Sequence, residues 1–199
     1  MQLFGLKAHS YKTVKAMERI VKDNVKIGVN REFMKHAFVY DKHLFVGTPH
    51  KLIGLAINHL WGDVDSLKDN TMYDFKVSNW IKGIYTIELT EVGELQQAGG
   101  IDNVFKFNAT SDMATRFNEI ESWLAFSYRI GTFNFETMQD AFTIVEGKNI
   151  AIYFNKSYCG NVGSTKIESE YATMIYLPRI SKGDLIKPLN YEQVKEVIA

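Results

Sequence analysis

Hydrophobic residues recur at helical spacing near the start of the chain. Ser10 is a suitable residue to cap the beginning of a helix, and Gly28 suits the position just after its end. The apolar residues between them recur every three or four positions, and they are Val14, Met17, Ile20, Val21 and Val25. This spacing predicts an amphipathic helix that buries one side against a core.

The same helix carries a second stripe, which consists of cations. Its members are Lys12, Lys15, Arg19, Lys22 and Lys26. Glu18 and Asp23 are the only carboxylates within the predicted helix, so few ion pairs between successive turns can form. The stripe therefore predicts a basic surface that binds an anionic partner. The alternative is an ordinary solvated helix face.

Later in the chain, apolar runs and turn residues predict both strands and helices. Strands are predicted at 37–40, 43–46, 72–81, 83–92, 150–154 and 171–177. Helices are predicted from Thr48-Pro49 to Gly62, from Ser111-Asp112 to Gly131, and over 191–198. Because the elements do not alternate strictly between strand and helix, we predict an α+β fold in one domain over residues 1–199. It would contain a mixed or antiparallel sheet and two to three substantial helices.

Composition limits the class of protein. The chain has 199 residues, of which 46% are hydrophobic and 23% charged, as in ordinary globular domains. Its single cysteine, Cys159, cannot form a disulfide within the chain, which indicates a reducing compartment. No apolar stretch approaches the roughly 20 residues of a membrane span, and the first residues do not resemble a signal peptide. We therefore expect a cytoplasmic protein without a membrane partner.

Charge is balanced overall but unevenly distributed. The chain has 23 basic and 23 acidic residues, which argues against a protein that coats nucleic acid through bulk positive charge. Residues 1–40 nevertheless hold eight basic and three acidic residues, whereas residues 60–102 hold three basic and eight acidic ones. This asymmetry is compatible with separate basic and acidic faces, and also with head-to-tail self-association.

One short pattern suggests phosphoryl-transfer chemistry. Gly47-Thr48, a predicted helix and then Asp63-Val64-Asp65 together resemble the nucleotide-binding pattern of DNA polymerase β-like nucleotidyltransferases. The resemblance implies that the turn binds phosphates and that Asp63 and Asp65 hold Mg²⁺ as catalytic residues. Thr replaces the family's Ser, the gap is longer than usual, and Ser66 follows where an apolar strand residue belongs. The alternative is an acidic turn after a helix.

A second candidate phosphate site lies in a glycine-containing segment. Its binding residues would be Gly160, Gly163, Ser164, Thr165 and Lys166. Backbone N–H groups in such loops bind phosphates, although the order differs from a Walker A motif. The alternative is a flexible hairpin loop.

Four histidines also lie close together in the sequence, at His36, His43, His50 and His59. None has the spacing of a metal site, so we expect surface or core histidines and assign no metal ligand.

The chain contains no complete catalytic motif. We therefore predict a small accessory protein, of the kind that phages or mobile elements encode, which binds nucleic acid, a nucleotide or an acidic protein through its basic first helix. One alternative is a nucleotidyl or phosphoryl transferase, with Mg²⁺ as its cofactor. The other is a self-assembling structural subunit.

Overall fold

The computed structural model describes residues 1–6, 11–81, 84–95, 113–117, 137, 140–141, 150–156, 162–177 and 193. The chain divides into two compact units. The first unit contains Met1–Val104 and Tyr171–Thr173, and the second contains Phe105–Glu170 and Met174–Ala199. The expectation of a single domain over residues 1–199 stays a prediction, and each unit is described separately.

The described part of the first unit is an antiparallel sheet with one long helix, α1 (Tyr11–Lys26). Its strands are β1 (Gln2–Leu6), β2 (Ala37–Tyr40), β3 (His43–Thr48), β4 (Lys51–Ala56), β5 (Leu60–Trp61), β6 (Thr71–Ile81) and β7 (Ile84–Glu94). They lie in the order β5-β1-β7-β6-β2-β3-β4. Three short 3-10 turns connect them, at Glu32–Lys35, Ile57–His59 and Val64–Ser66.

Tight hairpins determine much of this strand order. Asp41 and Lys42 join β2 to β3 with φ angles of 46° and 57°. Positive φ at both central residues is the geometry of the two-residue turn that suits the twist of paired strands. The hairpin sets Phe38 opposite Phe45, so that their rings stack with centroids 5.8 Å apart. The predicted strands at 37–40, 43–46, 72–81 and 83–92 are thus confirmed, with small differences at their ends.

Helix α1 packs on one face of this sheet, against β3, β4 and β6. Its buried residues are Thr13, Val14, Ala16, Met17, Ile20, Val21 and Asn24. Full burial of an aliphatic side chain contributes roughly 1.5–3 kcal/mol, so Val14, Met17 and Ile20 supply most of the attachment. The predicted helix is confirmed over Tyr11–Lys26, and the proposed cap Ser10 lies outside the described residues.

A buried amide anchors the end of α1. The Asn24 side-chain nitrogen donates hydrogen bonds of 2.7 Å to the carbonyl oxygens of Met34 and Gly47. Its backbone carbonyl accepts a hydrogen bond from Val29, beyond Gly28, whose φ of 65° allows the chain to leave the helix. Asn24 therefore connects the helix to β3 and to the segment before β2.

The described part of the second unit also contains antiparallel strands. They are β8 (Met113–Phe117), β9 (Ile150–Lys156), β10 (Val162–Glu168) and the end of β11 (Ala172–Tyr176). β9 pairs with β8 on one side and with β10 on the other. Ile152 and Ile167 lie opposite each other and are fully buried.

The prediction of an α+β fold with two to three substantial helices is wrong, because the described residues are mainly antiparallel sheet with one long helix. Residues 48–62 form the end of β3, then β4, a 3-10 turn and β5 instead of a helix. β4 is buried at consecutive positions from Lys51 to Leu55, so both of its faces are covered. A strand of that kind has a continuous apolar run, which periodicity does not distinguish from a buried helix.

The helix predicted from Ser111-Asp112 is also wrong in its described part. Met113–Phe117 is strand β8, with Thr115 opposite Ile152. An apolar residue at 113 and another at 117 fit a helical repeat and also every second residue of a strand. The rest of that prediction, and that for 191–198 apart from the helical residue Gln193, lies outside the described residues.

We expect Asn24→Ala to lower the free energy of unfolding by about 2 kcal/mol. The change removes two buried hydrogen bonds and leaves two carbonyl groups without their donor. Urea denaturation measures the loss. Asn30→Ala, at an exposed position, is the matched control and should change stability by less than about 0.5 kcal/mol. Equal stability of the two variants would contradict the role of Asn24 as an anchor.

Candidate functional site

The candidate site is the solvent-facing side of α1, where the cations named above form what we call the basic row: Lys12, Lys15, Arg19, Lys22 and Lys26. At 3.6 residues per turn they fall within an arc of about 80° and extend over about 21 Å of the helix axis. Four of them are exposed, and the Lys15 side chain retains 41% of its accessible surface. Burial of the apolar side of α1 thus turns the basic row towards solvent.

Glu18 lies beside this row and pairs with two of its members. Its carboxylate is 3.1 Å from Lys15 Nζ and 2.9 Å from Lys22 Nζ, and 12% of its side chain is exposed. Partial burial acts to raise the pKa of Glu18, but hydrogen bonds and charge attraction from Lys22 and Lys15 outweigh it and lower the pKa. Glu18 therefore stays ionised at neutral pH and reduces the repulsion between these cations.

A tyrosine in the first turn of α1 stacks on a tyrosine of β7. The rings of Tyr11 and Tyr85 stack with centroids 3.6 Å apart and planes 24° apart, and both side chains are half-buried. The Lys15 ammonium is 5.8 Å from the centre of the Tyr11 ring, within cation–π range. Desolvation and the neighbouring Tyr11 hydroxyl raise the pKa of Tyr85. Sequence patterns do not reveal this pair, because Tyr85 comes from β7 and only the fold brings it to the helix.

Apolar side chains are exposed at the end of α1. Val25, in the last turn, is 56% exposed, and Ile27, which directly follows the helix, is 72% exposed. The placement of Val25 in the buried stripe was therefore wrong. Val25 lies in the last turn of α1, but the buried positions of the helix end one residue earlier, at Asn24.

Acidic side chains lie on the opposite face of the same sheet. On β7, Tyr85 contacts Tyr11 of α1, and the buried Ile87 and Leu89 lie on the same face of the strand. Because side chains alternate along a strand, Glu88 points away from the helix. On β6, Phe75 is buried and its neighbours Asp74 and Lys76 are exposed. Lys76 Nζ is 4.0 Å from the Glu88 carboxylate.

His36 joins Asp74 on β6 to Glu32 in the 3-10 turn before β2. Its Nδ1 is 2.9 Å from Asp74 Oδ1, and its Nε2 is 3.2 Å from Glu32 Oε1. Hydrogen bonds from Lys35 and His36 lower the pKa of Glu32. Asp74 belongs to β6, whereas Glu32 lies in the 3-10 turn Glu32–Lys35, which contacts α1.

The proposed nucleotidyltransferase residues lie in a different local structure from the one their pattern requires. Gly47 and Thr48 end β3, and Thr48 Oγ1 accepts hydrogen bonds from the backbone N–H groups of His50 and Lys51 in the turn to β4. Asp65 lies in the 3-10 turn after β5, Asp63 directly precedes this turn, and both are exposed. The expected order of turn, helix and strand is absent from this fully described segment, because its apolar run forms β4.

The residues of the second predicted phosphate site lie partly in a strand and not in the expected loop. Gly160 lies outside the described residues, and Gly163 to Lys166 belong to β10 and not to a loop. Thr165 is fully buried. Lys166 pairs with Glu168 and lies 5.1 Å from the centre of the Tyr153 ring. Its charge is thus balanced within its own strand.

The other histidines have separate local surroundings. His43 Nδ1 is 2.7 Å from the Asp41 carbonyl oxygen, His59 is buried with its ring edge-on to Tyr171, and His50 is exposed. The part of the chain that the structure describes contains no group of three or more His, Cys, Asp or Glu residues arranged to hold a metal ion.

Comparison with known proteins identifies no relative. No protein-family model matches the chain, and searches of curated proteins and of solved structures find no significant match. Among the described residues, no helix has the length and apolar character needed to cross a membrane.

We expect Glu18→Gln to lower the free energy of unfolding by about 0.5–1 kcal/mol at pH 7, because it removes two ion pairs at the helix surface. The lowered pKa of Glu18 means that its contribution is complete above the ordinary carboxyl range and is lost as the pH falls through that range. The difference from the natural protein should therefore shrink between about pH 5 and pH 3. Urea denaturation across this range measures it.

A matched control separates the ion pairs from the general effect of removing a helix carboxylate. Asp23→Asn makes the same charge change at an exposed position of α1 and should alter stability by less than about 0.5 kcal/mol. A Glu18→Gln effect that is constant with pH would contradict the electrostatic explanation.

Proposed function

We propose that this protein is a small accessory binding protein whose basic row binds an anionic partner. The observation that supports this most directly is the position of the cations. All five lie on the solvent side of a helix whose other side is buried, while Glu88 and Asp74 lie on the opposite face of the same sheet.

The length of the basic row favours an extended anion. Cations spread over about 21 Å can contact several phosphates or carboxylates in succession. Each contact with a polyphosphate backbone releases condensed counterions, which gives affinity without sequence recognition. The acidic face repels the same partner and so favours one orientation of approach.

A second candidate function is self-association, which the two opposed faces also favour. The basic row of one copy would contact the acidic face around Asp74 and Glu88 of another copy. Such a contact joins different surfaces of the two copies, so it produces rings or filaments and not a symmetric dimer.

We do not carry the magnesium-dependent transferase forward, because the exposed Asp63 and Asp65 lack the helix-and-strand setting that the pattern requires. The accessory role, with a phage or mobile element as its source, remains a hypothesis. A cytoplasmic location is likewise part of the proposal, and it rests on the single cysteine of the chain.

The first experiment neutralises the centre of the basic row. We expect a variant with Lys15→Gln, Arg19→Gln and Lys22→Gln to bind a fluorescent 20-nucleotide DNA more weakly than the natural protein. Glutamine keeps helix propensity while it removes charge. The slope of log affinity against log salt should fall in magnitude by about 2 for a single strand, at about 0.7 per phosphate contact. Fluorescence anisotropy at several salt concentrations measures both effects.

The matched control removes three cations elsewhere in the same unit. Lys35→Gln, Lys68→Gln and Lys76→Gln change the net charge equally, and each also breaks an ion pair with a carboxylate. This variant should keep the natural salt slope. Equal loss in both variants would show that net charge and not the basic row determines binding. Sedimentation in the absence of DNA tests self-association, which the first variant should also abolish.

Removal of Glu18 should have the opposite effect on binding. Glu18→Gln releases Lys15 and Lys22 from their ion pairs and adds one unit of positive charge to the site, so we expect affinity for the same DNA to rise several-fold at low salt. Glu91→Gln, which breaks the Lys68–Glu91 pair, is the control and should change affinity much less. Weaker binding by Glu18→Gln would contradict the proposed site.

A further inference from the structure

We propose that the anionic partner is a single-stranded nucleic acid, and that the Tyr11–Tyr85 pair stacks on one of its bases while the basic row follows its phosphates. This inference rests on the proposed function and specifies the partner of the same surface.

The aromatic pair lies at one end of the basic row. Tyr11 directly precedes Lys12 in the chain and lies one turn from Lys15, whose ammonium is 5.8 Å from the Tyr11 ring centre. The two rings stack on each other and remain half-buried, so they form a supported aromatic surface at one end of the row. Proteins that bind single strands without sequence preference combine these two features, a cationic path and aromatic rings that stack on bases.

A carboxylate flanks the basic row on each of its two sides. On the helical projection, Asp23 lies about 20° beyond Lys12, and Glu18 lies about 40° beyond Lys22 on the other side. A helix in the groove of a duplex has phosphates along both of its sides. Here each side carries a carboxylate, so a duplex would bring phosphates towards Asp23 and Glu18. A single strand needs only one line of cations and avoids both.

The aromatic pair favours a nucleic acid over an acidic protein as the partner. A run of Asp and Glu residues could satisfy the cations, but it would leave the Tyr11–Tyr85 surface without a planar group to stack on. Nucleotides supply a phosphate and a planar base together, and stacking tolerates any base because every base has an aromatic face.

The test compares two single strands that have equal phosphate charge, with and without bases, and a duplex of the same length. We would measure binding of the full-length protein to a 20-nucleotide oligothymidine, to an abasic strand of the same length and to a 20-base-pair duplex, by fluorescence anisotropy at low salt. We expect oligothymidine to bind about tenfold more tightly than the abasic strand, as stacking of one base predicts. The duplex should bind more weakly than oligothymidine, although it carries more phosphates.

Variants of Tyr11 test whether its ring causes the preference for oligothymidine over the abasic strand. Tyr11→Leu should remove the preference for oligothymidine over the abasic strand. Tyr11→Phe keeps the ring and should retain the preference, which makes it the conservative variant. Tyr40→Leu, at another half-buried tyrosine of the same sheet, is the matched control and should retain it too. Thermal unfolding checks that each variant is folded.

The outcomes distinguish this inference from the function on which it rests. Equal affinity of the natural protein for oligothymidine and the abasic strand would overturn base stacking without any variant. If the variant with Lys15→Gln, Arg19→Gln and Lys22→Gln still bound both single strands more weakly than the natural protein, the basic row would remain an anion-binding surface. Failure of the natural protein to bind any of the three ligands would overturn the proposed nucleic-acid partner, and binding of polyglutamate alone would indicate an acidic protein instead.

Discussion

The burial of one side of α1 against the sheet is the interaction on which the rest of the proposed site depends. Val14, Met17 and Ile20 point into the core and fix the rotation of the helix about its axis. A rotation of about 100°, one residue, would expose part of this apolar stripe and move cations towards the sheet. Asn24 adds a polar constraint, because its two carbonyl partners require one position of the last helical turn. The direction of the basic row is therefore a consequence of core packing.

This arrangement has an electrostatic cost that Glu18 partly offsets. Cations three and four residues apart on one helix repel each other, and each close pair destabilises the helix by roughly 0.2–0.5 kcal/mol. Glu18 contacts Lys15 and Lys22 together, so one carboxylate relieves repulsion at two positions. The same carboxylate opposes an incoming anion. Stability and affinity thus make opposite demands on this residue, as is common where a surface is adapted to binding.

The sequence was most informative where structure depends on local interactions. The period of Val14, Met17 and Ile20 predicted α1, and the short apolar runs at 37–40 and 43–46 predicted β2 and β3. The prediction failed where distant contacts decide the structure. At Gly54 on β4, a side chain would collide with the Phe45 ring across the hairpin, and nothing near Gly54 in the sequence reveals that ring. Glycine within an apolar run weakens a helix, so the presence of Gly54 favoured a strand over the predicted helix.

The same distinction applies to the candidate site. The cations were predictable because they belong to one helix, whereas Tyr85 reaches Tyr11 only because β7 lies beneath the start of α1. At Lys166 the sequence suggested phosphate binding, but distant contacts change this interpretation. Its ammonium already pairs with Glu168 of the same strand and lies over the Tyr153 ring of the neighbouring strand β9.

The opposed basic and acidic faces connect the two candidate functions. Both would use the basic row, since the acidic face of a second copy and a nucleic acid strand would compete for the same cations. Two copies associated in this way would hide the row, and a strand with many phosphates would separate them by mass action. Self-association and nucleic-acid binding would then be alternative states of one surface, and the local concentration of nucleic acid would determine which state predominates.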